Sequence, residues 1–191
     1  MRLLLIGAPG AGKGTQAVRL AEHFGITHIS SGDLLRQHIA GRTSLGTSIR
    51  GYVERGDLVP DQIVMDMLRK PVVAANKNGG YVLDGFPRTV HQAQAAYLAA
   101  KDLGVAVQVA AHLDVDHDEL VRRLLSRGRG SEDTQEVIDH RLRVYEDQTR
   151  PMLDYYAVRE KLVVVNGARP MDEVTWSLQV QLQRVQRRLR A

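Results

Sequence analysis

Leu3-Leu4-Leu5-Ile6-Gly7-Ala8-Pro9-Gly10-Ala11-Gly12-Lys13-Gly14-Thr15 is the stretch that decides the fold of this chain. An apolar run that passes straight into a Gly-rich turn, with Lys where a helix begins, describes a phosphate cradle. Successive backbone N–H groups converge on the anion and the helix N-terminus adds partial positive charge. Glycine is required because a Cβ would hold the phosphate away from those groups. Lys13 is placed to reach the outer phosphates. Gly7-x4-Gly12-Lys13 follows the Walker A spacing with one departure: Gly14 occupies the usual Ser/Thr position and Thr15 follows. The spacing therefore gives no direct hydroxyl ligand for Mg²⁺. A plain Gly-rich hairpin tip would not explain Lys at this offset before the amphipathic 16–24 stretch.

The chain has 191 residues, 43% of them hydrophobic, which is enough for the core of one domain. No apolar run approaches the roughly 20 residues that span a bilayer. The first strand starts at the N-terminus, without the basic, apolar and cleavage regions of a signal peptide, so the expectation is a soluble cytoplasmic protein. Cysteine is absent, which excludes disulfides and Cys-ligated zinc. The seven histidines are scattered without metal-ligand spacing and read as surface or hydrogen-bonded residues. Net charge is +4, carried by 21 Arg and 5 Lys. Arginine suits bidentate phosphate recognition, although composition alone accounts for many of these.

Outward from the opening stretch, apolar strand-like runs recur at 81–83, 107–113 and 161–165, with a weaker one at 27–29. Helical patterns lie between them at 15–24, 32–39, 43–55, 61–75, 89–103, 116–126, 134–158 and 171–189. Alternating strands and helices predict an α/β fold with a parallel sheet, and nearly all-apolar strands predict helices on both faces. Two helices without an intervening strand fall between residues 30 and 60. A polar Gly-rich stretch, 126–133, separates two later helices, and both segments could cover a phosphate site. In the last helix Met171, Val174, Leu178, Leu182, Val185 and Leu189 form one buried stripe.

Tyr81-Val82-Leu83-Asp84-Gly85-Phe86-Pro87-Arg88 is the second strong signal. Asp84 ends an apolar strand, where P-loop proteins place a Mg²⁺-directed carboxylate. Gly85 and Pro87 shape a turn that returns Arg88 over the crevice at the strand ends.

Together these two motifs resemble those of the adenylate kinases, nucleoside monophosphate kinases. The resemblance runs on through Ser30-Ser31-Gly32-Asp33-Leu34-Leu35-Arg36, Leu58-Val59-Pro60-Asp61, Arg127 with Arg129, Arg141-Leu142-Arg143-Val144-Tyr145, Gln148-Thr149-Arg150-Pro151 and Asn166-Gly167. It implies a five-stranded parallel sheet of the P-loop NTPase type. The core would be 1–29, 60–125 and 138–191, with a helical monophosphate-binding insertion at 30–59 and a short lid at about 126–137. It also implies a monomer that moves a phosphoryl group from MgATP to AMP, giving two ADP.

By the same resemblance Gly10, Ala11, Gly12, Lys13, Gly14 and Thr15 hold the phosphates of ATP. Arg123 stacks on its base, and the backbone near Gly167 and Arg169 flanks the adenine. AMP falls to Ser31, Arg36, the backbone of Asp57, Leu58 and Val59, then Gly85, Phe86, Pro87, Arg88 and Gln92. Ser31 stands where this branch usually has Thr. Gln92, one helical turn beyond Arg88, can offer its amide to the adenine edge. Arg127, Arg129 and Arg141 match the lid arginines and are shared between the nucleotides. Lys13, Arg88 and these three are the expected catalytic cations, and Asp84 acts on Mg²⁺ through water. The short lid leaves no room for a zinc-bearing insertion.

Charge agrees with two nucleotides. ATP brings about −4 and AMP about −2, and one Mg²⁺ leaves roughly −4 for the protein to meet. Lys13, Arg36, Arg88, Arg127, Arg129 and Arg141 more than cover it. A UMP/CMP kinase of the same fold is the alternative, separated by the acceptor it uses. A GTPase is disfavoured because Asn76-Lys77-Asn78 is followed by Gly79 and not Asp. A nucleic-acid module lacks stacking residues, with two Phe and one Trp.

Overall fold

Side-chain alternation in a strand sends successive residues to opposite faces, and the first strand shows what this chain does with it. In β1 (Arg2–Ile6), Leu3 and Leu5 enter one hydrophobic cluster while Leu4 and Ile6 enter another. Both faces are therefore covered, as an all-apolar strand requires. The computed structural model describes residues 1–128, 133–159 and 161–190.

β2 (Thr27–Ser30), β3 (Tyr81–Asp84), β4 (Val109–Asp114) and β5 (Leu162–Asn166) complete a sheet of order β2-β3-β1-β4-β5, parallel throughout. The register sets Leu5 of β1 beside Asp84 of β3, and Ser30 of β2 on its other side. The strand ends that carry the two sequence motifs thus lie side by side, where open α/β sheets bind ligands.

α1 (Lys13–Phe24) and α9 (Met171–Arg190) cover one face through Leu20, Leu178 and Leu182, joined by Leu120 and Leu124 of α6 (His117–Arg127) and Ile138 of α7 (Gln135–Val144). The opposite face carries α2 (Ser31–Ala40), α3 (Ser44–Arg55), α4 (Asp61–Lys77), α5 (Val90–Lys101) and α8 (Met152–Ala157), through Leu35, Ile49, Leu68, Ala93 and Met152. Hydroxyl N-caps start several of these helices: Ser30, Thr43, Thr89 and Thr134 each accept from the backbone N–H three residues on.

The single helix expected over 134–158 is three pieces: α7, a π-helical turn (Tyr145–Thr149) and α8. Pro151 explains the break, since it donates no hydrogen bond and its ring clashes with the preceding turn. The stripe on α9 is also shorter than expected. Val174, Leu178 and Leu182 are buried and Val185 packs against them, but Met171 and Leu189 are half-exposed because they lie at the ends of the helix, past the core. Among the histidines, His28 departs from the expectation: its Nε2 is sealed from solvent with no hydrogen-bond partner among the described residues.

Candidate active site

The turn between β1 and α1 holds Gly10 at φ 86° and Gly12 at φ 90°, values that side chains other than glycine rarely adopt. A Cβ at Gly10 would also press on Leu120 O and Leu124 at 3.0 Å. α1 begins on Gly12, which has no side chain to cap the first N–H groups, so these remain available to an anion. Ala11 is buried behind the turn, while Gly14 and Thr15 are exposed on its outer side.

Lys13 is the first residue of α1, and its ammonium donates to Gly7 O at 2.8 Å and Ala8 O at 3.0 Å. Loss of water around it brings its pKa down to about 8; Asp84 opposes the shift, and Arg88, Arg141 and Arg127 add to it. These charges share one cleft of about 320 Å³, whose walls include Gly10, Gly12, Gly14 and Thr15 as well as Arg36 and Arg123. Asp84 ends β3 with Oδ2 turned toward the missing side chain of Gly14, 3.8 Å from where a Cβ would stand. One carboxylate beside a phosphate cradle, with space before it, fits a hydrated Mg²⁺ carried by a nucleotide.

A second, smaller pocket of about 50 Å³ adjoins it, lined by Ser31, Arg36, Asp57, Leu58, Val59, Gly85, Phe86, Arg88, Gln92 and Arg141. Pro87, after a cis Phe86–Pro87 bond, lines the larger cleft. Arg36, Arg88 and Arg141 line both pockets and stand at the seam between them. Every acceptor-side residue expected from the sequence is thus brought together, apart from Arg129, which lies outside the described residues.

Hydrogen bonds fix this wall. Arg88 Nε donates to Gly85 O at 2.7 Å. The Arg88 backbone N–H donates to Gln92 Oε1 at 2.7 Å, and Gln92 Nε2 donates to Asp61 Oδ1 at 2.7 Å. Gln92 is buried, so the amide expected to face a base also ties Arg88 to α4. Arg36 pairs with Asp33 at 2.6 Å.

On the other side Arg127 is gripped by Asp133, through Nε at 3.0 Å and Nη2 at 2.5 Å. Arg123 donates to Glu119 at 2.6 Å and to Gly167 O at 3.1 Å, which ties α6 to the turn after β5. Glu119, holding both Arg122 and Arg123, is pulled down to about 2. Gly167 has no room for a Cβ, which would strike Val115 at 2.7 Å. Arg169 is exposed and does not line the cleft.

Three residues to which the sequence assigns no role hold parts of the site. Asp133 holds Arg127, Asp61 holds Gln92, and His140 Nε2 lies 2.8 Å from Asp57 Oδ1. His140 directly precedes Arg141 on α7, and that adjacency is the available signal. Below the cleft, His112 Nε2 meets the Tyr145 hydroxyl at 3.1 Å. Burial holds this imidazole below its usual range and pushes the phenol up to about 12, so both are neutral at pH 7.

The adenylate kinase family model matches residues 5–161. The chain is 46% identical over 181 residues to "Adenylate kinase 1" of Nostoc sp., covering 95% of this chain and 98% of that protein. It is 47% identical over 174 residues to an adenylate kinase of Rhodococcus erythropolis (91% and 94% covered). With an adenylate kinase of Trichodesmium erythraeum identity is 40% over 190 residues (97% and 99%). A match of this extent, on a fold whose strand ends carry the phosphate cradle and its arginines, shows that the chain belongs to the adenylate kinase family.

Proposed function

We propose that this chain transfers the terminal phosphoryl group of MgATP to AMP, reversibly giving two ADP. The observation that carries this reading is the seam of Arg36, Arg88 and Arg141 between two adjoining pockets. A hydrolase needs one phosphate site; a transferase needs two, with the reacting phosphates meeting where the cations are densest.

In this reading the Gly10–Thr15 backbone and Lys13 hold the donor phosphates, with Arg123, braced by the Gly167 carbonyl, on the base side. Ser31, the 57–59 backbone, Gly85–Arg88 and Gln92 hold AMP. An acceptor phosphate oxygen attacks the terminal phosphorus, and the bond from that phosphorus to the bridging oxygen of the leaving ADP breaks. The attacking oxygen carries no proton at neutral pH, so no strong base is required. The transition state is loose, with charge on the equatorial oxygens, and the residues contribute by position and field. Lys13, Arg127, Arg129 and Arg141 offset that charge, while Arg88 and Arg36 aim the acceptor phosphate. Mg²⁺, held near Asp84 through water, would neutralise donor phosphate charge. Segment 30–59 closes over the site and excludes the water that would otherwise hydrolyse ATP. The chain acts as a cytoplasmic monomer, without nucleic acid or membrane.

Arg88→Ala tests the seam. Turnover is expected to fall by about three orders of magnitude or more with circular dichroism unchanged. Near-normal turnover would overturn the assignment.

A further inference from the structure

A cavity larger than the nucleotide cleft lies elsewhere in the molecule. It measures about 520 Å³ and lies between α4, α5 and α8, on the far side of the Phe86–Pro87 turn. Its walls are mainly apolar, among them Met65, Leu68, Val72, Ala96 and Tyr155. That size and lining are those of a small-molecule site.

Two features give it polarity. Tyr156 lines the cavity, is 6% exposed, and its hydroxyl has no hydrogen-bond partner among the described residues. The one sealed and unpartnered side-chain polar atom among those residues is His28 Nε2, so the Tyr156 hydroxyl keeps some accessible surface. Neighbouring Tyr81 differs, since its hydroxyl is used on Val105 O at 2.6 Å.

Charge is the second feature. Arg69, Arg159 and Lys161 lie at the cavity edge, and none has a carboxylate partner among the described residues. Arg159 Cζ lies over the Tyr155 ring, 3.7 Å from its centroid, and Lys161 Nζ lies 5.8 Å from the centroid of the Tyr97 ring. Two carboxylates, Asp66 and Asp102, share the edge, and Asp66 already accepts from Gln62 at 3.0 Å. Cations outnumber anions, and two of them stand beside aromatic walls while donating to backbone carbonyls, Arg159 to Tyr155 O at 2.8 Å and Lys161 to Val107 O at 3.4 Å.

We propose that this cavity is a second small-molecule site, which takes an amphipathic monoanion: a flat or short-chain apolar body with one carboxylate- or sulfonate-like end. The body fills the apolar walls, the anion meets Arg159 and Lys161, and the Tyr156 hydroxyl donates to a polar atom of the ligand. Phe86 lines both this cavity and the smaller nucleotide pocket, so occupancy shifts AMP affinity. That coupling rests on the phosphotransfer reading; binding itself does not.

The probe is anilinonaphthalene sulfonate, an apolar body with one anionic end, titrated by fluorescence into the folded chain with ATP present to occupy the cleft. One saturable site is expected, with a neutral phenylnaphthylamine binding about tenfold more weakly. Ala96→Phe, which fills the cavity, should abolish the site. Arg159→Gln with Lys161→Gln, neither of which lines the cleft or the smaller pocket, should weaken it about tenfold and preserve turnover without probe. If Ala96→Phe fails to fold, the charge variants and the neutral probe decide. A signal that does not saturate, that ATP removes entirely, that survives Ala96→Phe, or that ignores the charges overturns the proposal. With the site confirmed and AMP transfer absent, the phosphotransfer reading fails alone.

Discussion

His140 Nε2 lies 2.8 Å from Asp57 Oδ1, and this contact joins α7 to the loop that closes segment 30–59. Arg55 also donates to Asp57, at 2.8 Å, and the His140 and Arg55 bonds hold its carboxyl below the usual range. Directly beside the link, Gly56 (φ 79°) lets Arg141 pack where a Cβ would collide. The link therefore holds the acceptor loop against the helix that bears Arg141. His140→Ala is expected to raise the KM for AMP by up to about fivefold, the range of a partly exposed polar pair, with the KM for ATP unchanged. Steady-state kinetics with each substrate varied in turn checks it; an equal effect on both would show a general loss of structure.

In the proposed reading Lys13 makes ATP binding pH-dependent. In the free protein its pKa is about 8, and a polyphosphate beside it favours the charged form. Above pH 8 binding must take up a proton, so affinity should fall by up to about tenfold per pH unit. Calorimetry at about pH 8.5 in buffers of different ionisation enthalpy measures that uptake, and Lys13→Met should remove it. The sign for folding is opposite. Between pH 8 and the ordinary 10.5, the unfolded chain binds more protons than the native one, so this contribution to stability rises with pH.

Asp133 occupies two of the five N–H donors of Arg127, and in the proposed reading the others meet phosphate. It acts as a positioning residue, with its side chain 3% exposed. Asp133→Asn keeps the volume and loses the grip, so kcat should fall about tenfold. Combined with Arg127→Ala it should add less than it costs alone, because both changes remove the Arg127–Asp133 pair. Full additivity in the double-mutant cycle would contradict the assignment.

Gln92→Leu should leave the part-buried Arg88 N–H without its partner, at a cost of about 1–3 kcal/mol in stability. The KM for AMP should rise well beyond that for ATP, since the Arg88 turn lines the acceptor pocket. Urea unfolding together with kinetics separates the two effects. Asp61→Ala should reproduce the kinetic part more weakly, because it acts through Gln92.

The sheet was legible because its strands are short, apolar and bounded by Gly or polar residues; all five fall within two residues of the expected bounds. The cradle was legible because its chemistry is local: Gly10, Gly12 and Lys13 are set by spacing alone. Contacts such as Asp57 with His140 or Asp61 with Gln92 join residues 83 and 31 positions apart, and nothing periodic announces them. The 134–158 pattern kept a helical period across Pro151, so periodicity outvoted the one residue that breaks it. The exposure of Met171 and Leu189 depends on where the sheet ends beneath α9, which the stripe itself does not encode.

The most direct test supplies Mg²⁺ and ATP with AMP, CMP or UMP in turn and separates the products. Two ADP formed per ATP and AMP consumed, with far slower transfer to CMP and UMP, is the expected result. Transfer to CMP or UMP in preference to AMP, or slow phosphate release from ATP with no transfer at all, would contradict the account.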